Sequence, residues 1–149
     1  MSDLIIRAAE EKDVAGIAEL EKICFPHDPW SYDTILSDVT KNPSVQFIVA
    51  VAEDEIASYL GMMRILDEAD IINVAVAPAF RRMHVAEAML SAAIDIAIQN
   101  DIKSLTLEVR ADNEPAIGLY EKFGFKREGI RKGYYSYDGM DAILMRLVI

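Results

Sequence analysis

Apolar residues change their spacing several times along the chain, and each change predicts a new element. Leu4-Ile5-Ile6-Arg7 predicts a first strand. From Asp13 to Cys24, Val14, Ile17, Leu20 and Cys24 fall along one helical face. Phe25 to Trp30 is a loop, because Pro26 and Pro29 deny it helix hydrogen bonds. Ser31 suits the N-cap of a short second helix, which Asn42-Pro43 ends. Val45–Ala52, Ile56–Ile65 and Asp70–Val76 predict three strands of an antiparallel meander, with Glu53-Asp54 as the first turn. A long helix follows Pro78, with Val85, Met89, Ala93 and Ala97 repeating every four residues and Ala86, Leu90, Ile94 and Ile98 beside them; Asn100-Asp101 closes it. Ser104–Val109 is a strand. Asn113 suits an N-cap, Pro115 the first turn, and Gly124 the C′ position of a helix running to Phe123. Phe125–Gly129 and Ala142–Val148 predict two last strands.

The strand–helix–strand unit from Asn73 to Val109 implies one parallel pair, while the other connections are antiparallel. The expected fold class is α/β (α+β): one domain over residues 1–149, with a mixed, mostly antiparallel sheet of about seven strands and helices on both faces. At 149 residues and 52% hydrophobic composition, a core forms without staples. The single cysteine, Cys24, excludes an internal disulfide and a cysteine zinc site, and His27 and His84 make no histidine-rich centre, so no metal is expected. The acidic start MSDLIIRAAEEKD is no signal peptide, and no apolar run approaches the ~20 residues that span a bilayer. The expectation is a soluble, cytoplasmic protein with no membrane partner. Its net charge of −10 argues against direct nucleic-acid binding, and either steers a basic partner or only keeps the chain soluble.

Two stretches carry candidate chemistry. In Asn73 to Ala86 a strand runs through a short turn into the long helix, whose first N–H groups favour an anion such as pyrophosphate; Arg81 and Arg82 add charge at its mouth. The alternative is an ordinary exposed loop. In Leu107 to Phe125, Glu108 lies near the end of a central strand, where a partly desolvated carboxylate serves as a base, and Tyr120 lies on the next helix. Taken alone, Glu108 reads first as a surface or ion-paired carboxylate and Tyr120 as an ordinary boundary aromatic.

The full set of motifs resembles the GNAT superfamily of N-acetyltransferases, and within it the RimI-type family that acetylates the N-terminal alanine of a small-subunit ribosomal protein. The segments concerned are Cys24-Phe25-Pro26, Pro29-Trp30-Ser31, Leu66-Asp67-Glu68-Ala69, Asn73-Val74-Ala75-Val76, Leu107-Glu108-Val109-Arg110, Asn113, Leu119-Tyr120, Gly124-Phe125 and Ile130 to Tyr135. The resemblance implies acetyl-CoA as cosubstrate, wedged between two splayed parallel strands, Asn73–Val76 and Ser104–Val109. Val74, Ala75 and Val76 belong to the strand whose backbone holds pantetheine and the acetyl carbonyl; Arg81, Arg82, Met83, His84, Val85, Ala86 and Glu87 wrap the pyrophosphate; Asn113 touches the pantetheine arm. Glu108 matches the general base and Tyr120 the general acid. Trp30, Tyr134 and Tyr135, the last two expected after the sixth strand, match the acceptor-peptide region, and the implied partner is a protein or peptide N-terminus, that of a ribosomal protein.

The chain departs from this pattern at His84, where the family's phosphate loop carries glycine. Either the histidine adopts the needed conformation with its ring turned out, or cofactor affinity is weakened or lost. Other residues carry two readings each: Trp30 as groove wall or packing anchor, and Lys122, Lys126, Arg127, Arg131 and Lys132 as phosphate partners or a solvated face. Asp67, Glu68 and Asp70 either attract a positive N-terminus or only end a strand, and Cys24 reads as a small buried hydrophobe. Two rivals stand beside the N-terminal acetyltransferase: a family member acting on a small amine, and a catalytically silent module that binds coenzyme A or a partner.

Overall fold

The computed structural model describes residues 4–82 and 84–149. In chain order the elements are β1 (Ile5–Ala8), α1 (Val14–Cys24), α2 (Tyr32–Lys41), β2 (Val45–Ala52), β3 (Glu55–Ile65), β4 (Glu68–Val76), α3 (Val85–Gln99), β5 (Ser104–Arg110), α4 (Glu114–Lys122), β6 (Lys126–Tyr135) and β7 (Met140–Val148). Among the described residues one seven-stranded sheet runs β1-β2-β3-β4-β5-β7-β6, and only β4 and β5 are parallel. The long α3 supplies the crossover that a parallel pair requires.

Local chemistry sets the helix ends. The Ser31 hydroxyl accepts from the Thr34 N–H at 3.2 Å and starts α2. Asn113 Oδ1 accepts from the Ala116 N–H at 3.2 Å and starts α4, with Pro115 in the first turn. Gly124 ends that helix at φ +98°, a conformation costly for any other residue.

Helices cover the sheet on both sides. On one face Val85, Met89, Leu90, Ala93 and Ala97 of α3 pack in a core with Leu60, Leu105, Leu107 and Met145, joined by Ile117 and Phe125. On the other, Val14, Ile17 and Leu20 of α1 and Ile35 of α2 cover Phe47, Val49, Tyr59 and Ala75. The row from Ala86 to Ile98 is not wholly inside: Leu90 is buried, but Ile98 is 52% exposed. Each step of four residues overshoots a turn by about 40°, so the row drifts off the buried face.

No helix among the described residues is long and apolar enough to cross a membrane. The sixth strand differs from the expectation. It does not stop at Gly129 but continues to Tyr135, so Tyr134 and Tyr135 are its last residues. This strand lies at the sheet edge and is exposed through nine of its ten positions, so no apolar alternation marks its length.

Candidate active site

The parallel pair is short. Glu68, Ala69, Asp70 and Ile71 oppose Ser104, Thr106 and their neighbours up to Leu107, and the pairing ends there. Gly61 then pairs with Asn73 while Met62 pairs with Ile71, leaving Ile72 as an extra, bulged residue on β4. Beyond the bulge β4 stays with β3, through Leu60↔Val74, Tyr59↔Ala75 and Ser58↔Val76, and parts from β5.

Antiparallel bonding alternates along a strand, and the Ala77 N–H donates to the Ala57 carbonyl at 2.8 Å. The N–H groups of Val76 and Val74 therefore turn away from β3 into the opened gap. Ala75 faces the other way: its side chain is buried under α1, and its carbonyl accepts from Ser58 Oγ at 2.7 Å. The Val76 carbonyl accepts from Arg81 Nε at 3.2 Å and lies 3.7 Å from Cys24 Sγ. Cys24 is thus half-buried at the edge of the gap rather than sealed in the core.

A cavity of about 400 Å³ continues from the gap. Val76, Phe80, Arg81 and Arg82 line one side, the start of α3 from His84 to Glu87 a second, and Leu119 of α4 a third. Inside α3 the Ala88 N–H bonds the His84 carbonyl at 3.1 Å, so the N–H groups of Val85, Ala86 and Glu87 precede the helical ladder. His84 adopts the left-handed conformation, φ 60° and ψ 21°, with its side chain 81% exposed. The ring leans on Glu87, Nδ1 to Oε1 3.5 Å. Glu87 also accepts from Lys122 Nζ at 3.2 Å, and these two contacts, Lys122 first, hold its carboxyl below the usual range. Met83 falls outside the described residues. Free helical N–H groups, two exposed arginines and a Glu87 whose charge Lys122 balances suit an anion such as pyrophosphate.

β5 forms the far wall. Leu105, Leu107 and Val109 enter the core, so Thr106, Glu108 and Arg110 take the opposite face. The Glu108 side chain is 20% exposed, and its buried Oε2 lies 3.0 Å from Arg131 Nε without the alignment of a hydrogen bond. Thr106 Oγ1 donates to Asp70 Oδ1 at 2.8 Å, and burial pushes the Asp70 carboxyl up. One row further, Arg146 joins Glu68, Ser104 and Glu128. At the other end, Arg110 bonds Asp138 at 2.7 Å and stacks over Tyr135 and Tyr137, 5.0 and 5.4 Å from their ring centres.

Tyr134 meets Tyr135 edge to face at 5.1 Å, and burial followed by the Glu108 charge raises its phenol pKa. Burial pushes Tyr135 up to about 12. His27 stacks on Tyr137 at 4.2 Å, so the α1–α2 loop touches the β6–β7 turn. Trp30 sits with the core beneath α1: its ring meets Phe47 at 6.2 Å, and its backbone N–H donates to the buried Glu21 at 2.8 Å. Asn73 Nδ2 donates to the second Glu21 oxygen at 2.7 Å, tying that loop to the bulged strand. Tyr120 packs on Phe125 at 5.8 Å beside the cavity-lining Leu119, and burial raises its phenol pKa.

The structure thus gathers Val74, Val76, Arg81, Arg82, His84, Val85, Ala86 and Glu87 at one opening, and sets Glu108 and Tyr134 around Arg131. The expected basic cluster is divided: Lys122 serves Glu87, Arg127 lies 3.7 Å from Glu121, and Arg131 serves Glu108. The partners of Glu108 and Arg110 were not foreseen, although polar residues at every second position of β5 signal a second, wetted face.

Residues 9–125 match the acetyltransferase (GNAT) family model. The chain is 37% identical over 125 residues to the Escherichia coli K12 protein named [ribosomal protein bS18]-alanine N-acetyltransferase, covering 81% of this chain and 82% of that one. It is 30% identical to an N-alpha-acetyltransferase of Saccharolobus solfataricus, over 96% of this chain and 92% of that one. The crystal structure of the ribosomal-protein-S18-alanine N-acetyltransferase from Escherichia coli superposes with a TM-score of 0.90 at 33% identity, covering 99% of this chain and 94% of that one.

Proposed function

The chain belongs to the acetyltransferase (GNAT) family, and on that premise we propose that it moves an acetyl group from acetyl-CoA to the α-amine of a protein N-terminus. The acceptor residue in this reading is alanine, the acceptor protein is ribosomal, and the reaction takes place in the cytoplasm. The observation that carries the proposal is the parted end of β4, with two N–H groups turned into a gap that Glu108 faces from β5.

Acetyl-CoA, when bound, supplies an activated acetyl thioester. The N–H groups of Val74 and Val76 take pantetheine and the acetyl carbonyl, with Val76 donating to the oxygen as negative charge develops. Asn113 spends Oδ1 on its helix cap and keeps Nδ2 for the pantetheine arm. The residues from Arg81 to Glu87 take the pyrophosphate, Met83 among them by its place in the sequence. An α-ammonium group has an ordinary pKa of ~8 and attacks only after losing a proton. Glu108 draws that proton, directly or through water. The amine attacks the carbonyl, and Tyr120, kept protonated by burial, gives its proton to the departing sulfur. Tyr134 and Tyr135 line the approach of the acceptor peptide, while Trp30 anchors the loop opposite.

The test is acetyl-CoA binding by calorimetry, followed by thiol release with an alanine-starting peptide. Glu108→Gln is expected to lower kcat by about 10²–10⁴-fold and Tyr120→Phe by about 10-fold or more, both with acetyl-CoA affinity kept. Full turnover in both variants sinks the assignment of roles. Preference for a free polyamine or amino acid over the peptide moves the acceptor to small amines. Absence of acetyl-CoA binding leaves only the silent module.

A further inference from the structure

The polar face around Glu108 holds a carboxylate that this reaction does not use. Asp70 sits on β4 directly across from Thr106, one residue before the last parallel pair. Its neighbour on the same face, Glu68, is satisfied by Ser104 and Arg146. Asp70 is not: Thr106 engages one of its two oxygens, and among the described residues no basic nitrogen comes within ion-pair distance of it. Among the described residues, the charged and titratable groups on this face include Glu68 on β4, Glu108 and Arg110 on β5, Arg131, Tyr134 and Glu128 on β6, Arg146 on β7, and the buried Glu21 of α1, whose oxygens accept from the Trp30 backbone and from Asn73. Arg110 is committed to Asp112 and Asp138, and Arg146 to Glu68 and Glu128. Only Arg131 is left to serve Glu108 and, at longer range, Asp70.

The two carboxylates therefore share one guanidinium and carry one uncompensated negative charge. A half-buried carboxylate without a counter-ion is costly, and a docking cation removes that cost. We propose that Asp70 is the second carboxylate of the acceptor pocket: it binds the acceptor's α-ammonium group beside Glu108 and holds it there while Glu108 takes the proton. The N–H bond breaks with its electron pair left on nitrogen, an O–H bond forms on the Glu108 carboxyl, and the proton passes to water after transfer, while Asp70 stays ionised throughout. The inference rests on the reading of the previous subsection.

The experiment is the kcat/KM profile of Asp70→Asn in the full chain, from pH 6 to 9.5, with the alanine-starting peptide and the unaltered protein in parallel. Asn keeps an oxygen for the Thr106 hydroxyl and removes only the charge. The expected result at pH 7 is a loss of about 10–100-fold in kcat/KM, carried largely by KM because a contact to the charged ammonium is removed, with acetyl-CoA affinity within about 2-fold. The loss shrinks above pH 9, where the acceptor amine is already neutral; a merely structural defect persists at every pH. Thr106→Val removes the hydroxyl that favours ionised Asp70, so its acid limb moves to higher pH. Activity at pH 7 equal to the unaltered protein, or a loss independent of pH, overturns the inference alone. An unaltered protein that does not acetylate the peptide overturns the acceptor reading and this inference with it.

Discussion

The two ends of β4 meet their neighbours on different terms. From Glu68 to Ile71 the strand is bonded on both edges, to β3 and to β5. From Asn73 to Val76 it is bonded on one. Buried backbone groups are almost always paired, so the paired end spends its groups on stability and the parted end reserves them for a ligand. The switch is the one extra residue at Ile72, which bends β4 away without loosening its hold on β3. A binding gap in a sheet therefore needs no missing strand, only a change of register at one position.

The largest test of this contrast is at the paired end. Leu107 is 2% exposed, and Leu107→Ala is expected to cost about 2–5 kcal/mol in urea denaturation. Val76→Ala, at a half-buried position on the open cavity, costs about 1 kcal/mol and is read in acetyl-CoA affinity instead. Equal losses of stability at both sites break the contrast.

The next concerns acid. Far from the gap, Arg7 grips both oxygens of Asp13 at 2.7 and 2.9 Å and holds that carboxyl below its ordinary 3.8. The folded-state pKa is the lower one, so this stability is fully present above pH 3.8 and is lost as pH falls through the folded value. Asp13→Asn is expected to cost about 1.5–3 kcal/mol at neutral pH and to flatten the acid edge of stability, measured by thermal melts at pH 2 to 6. The pH profile of acetyl transfer, set at the gap, stays unmoved.

Gly61 bears on the bulge itself. A Cβ there lies 2.8 Å from a Phe47 ring carbon and 3.2 Å from Ile72 Cγ1. Gly61→Ala is expected to cost about 1–3 kcal/mol and to weaken acetyl-CoA binding several-fold by displacing Ile72. Lower stability with unchanged affinity shows that the bulge does not set the gap.

The smallest effect belongs to His84. Glycine relieves the left-handed conformation but frees the unfolded chain, so His84→Gly changes stability by within about 1 kcal/mol. Its ring points outward, and calorimetric affinity for acetyl-CoA stays within about 3-fold. A tenfold gain instead identifies the ring as an obstruction.

Elements whose cause is local were legible in the sequence. Ser31, Asn113, Pro115 and Gly124 mark helix ends by their own hydrogen bonding and backbone preference, and all four stand where their chemistry requires. Strands half-buried by a helix were legible through their apolar positions. What depends on two distant segments was not. The bulge at Ile72 comes from register against β3 and has no residue signature of its own. Arg131 reaches Glu108 because β6 runs past Gly129, and an exposed strand leaves no apolar trace. That His84 stands in the left-handed region with its ring outward was one of its two readings, the other being weakened cofactor affinity, and a histidine's own preference does not choose between them. The motifs pointed to Glu108, but its partners became visible only when the strands were laid side by side.

The two margins of the sheet also differ. β1 offers four residues at one margin, too few to template another strand; β6 offers ten at the other. An uncovered strand of that length invites sheet-to-sheet association between copies of the protein. Lys126, Arg127, Glu128, Arg131 and Lys132 place charge along it, and charged side chains on an edge strand oppose such pairing. The charged residues that hid the full length of this strand are also of the kind that discourage an edge from seeding an aggregate.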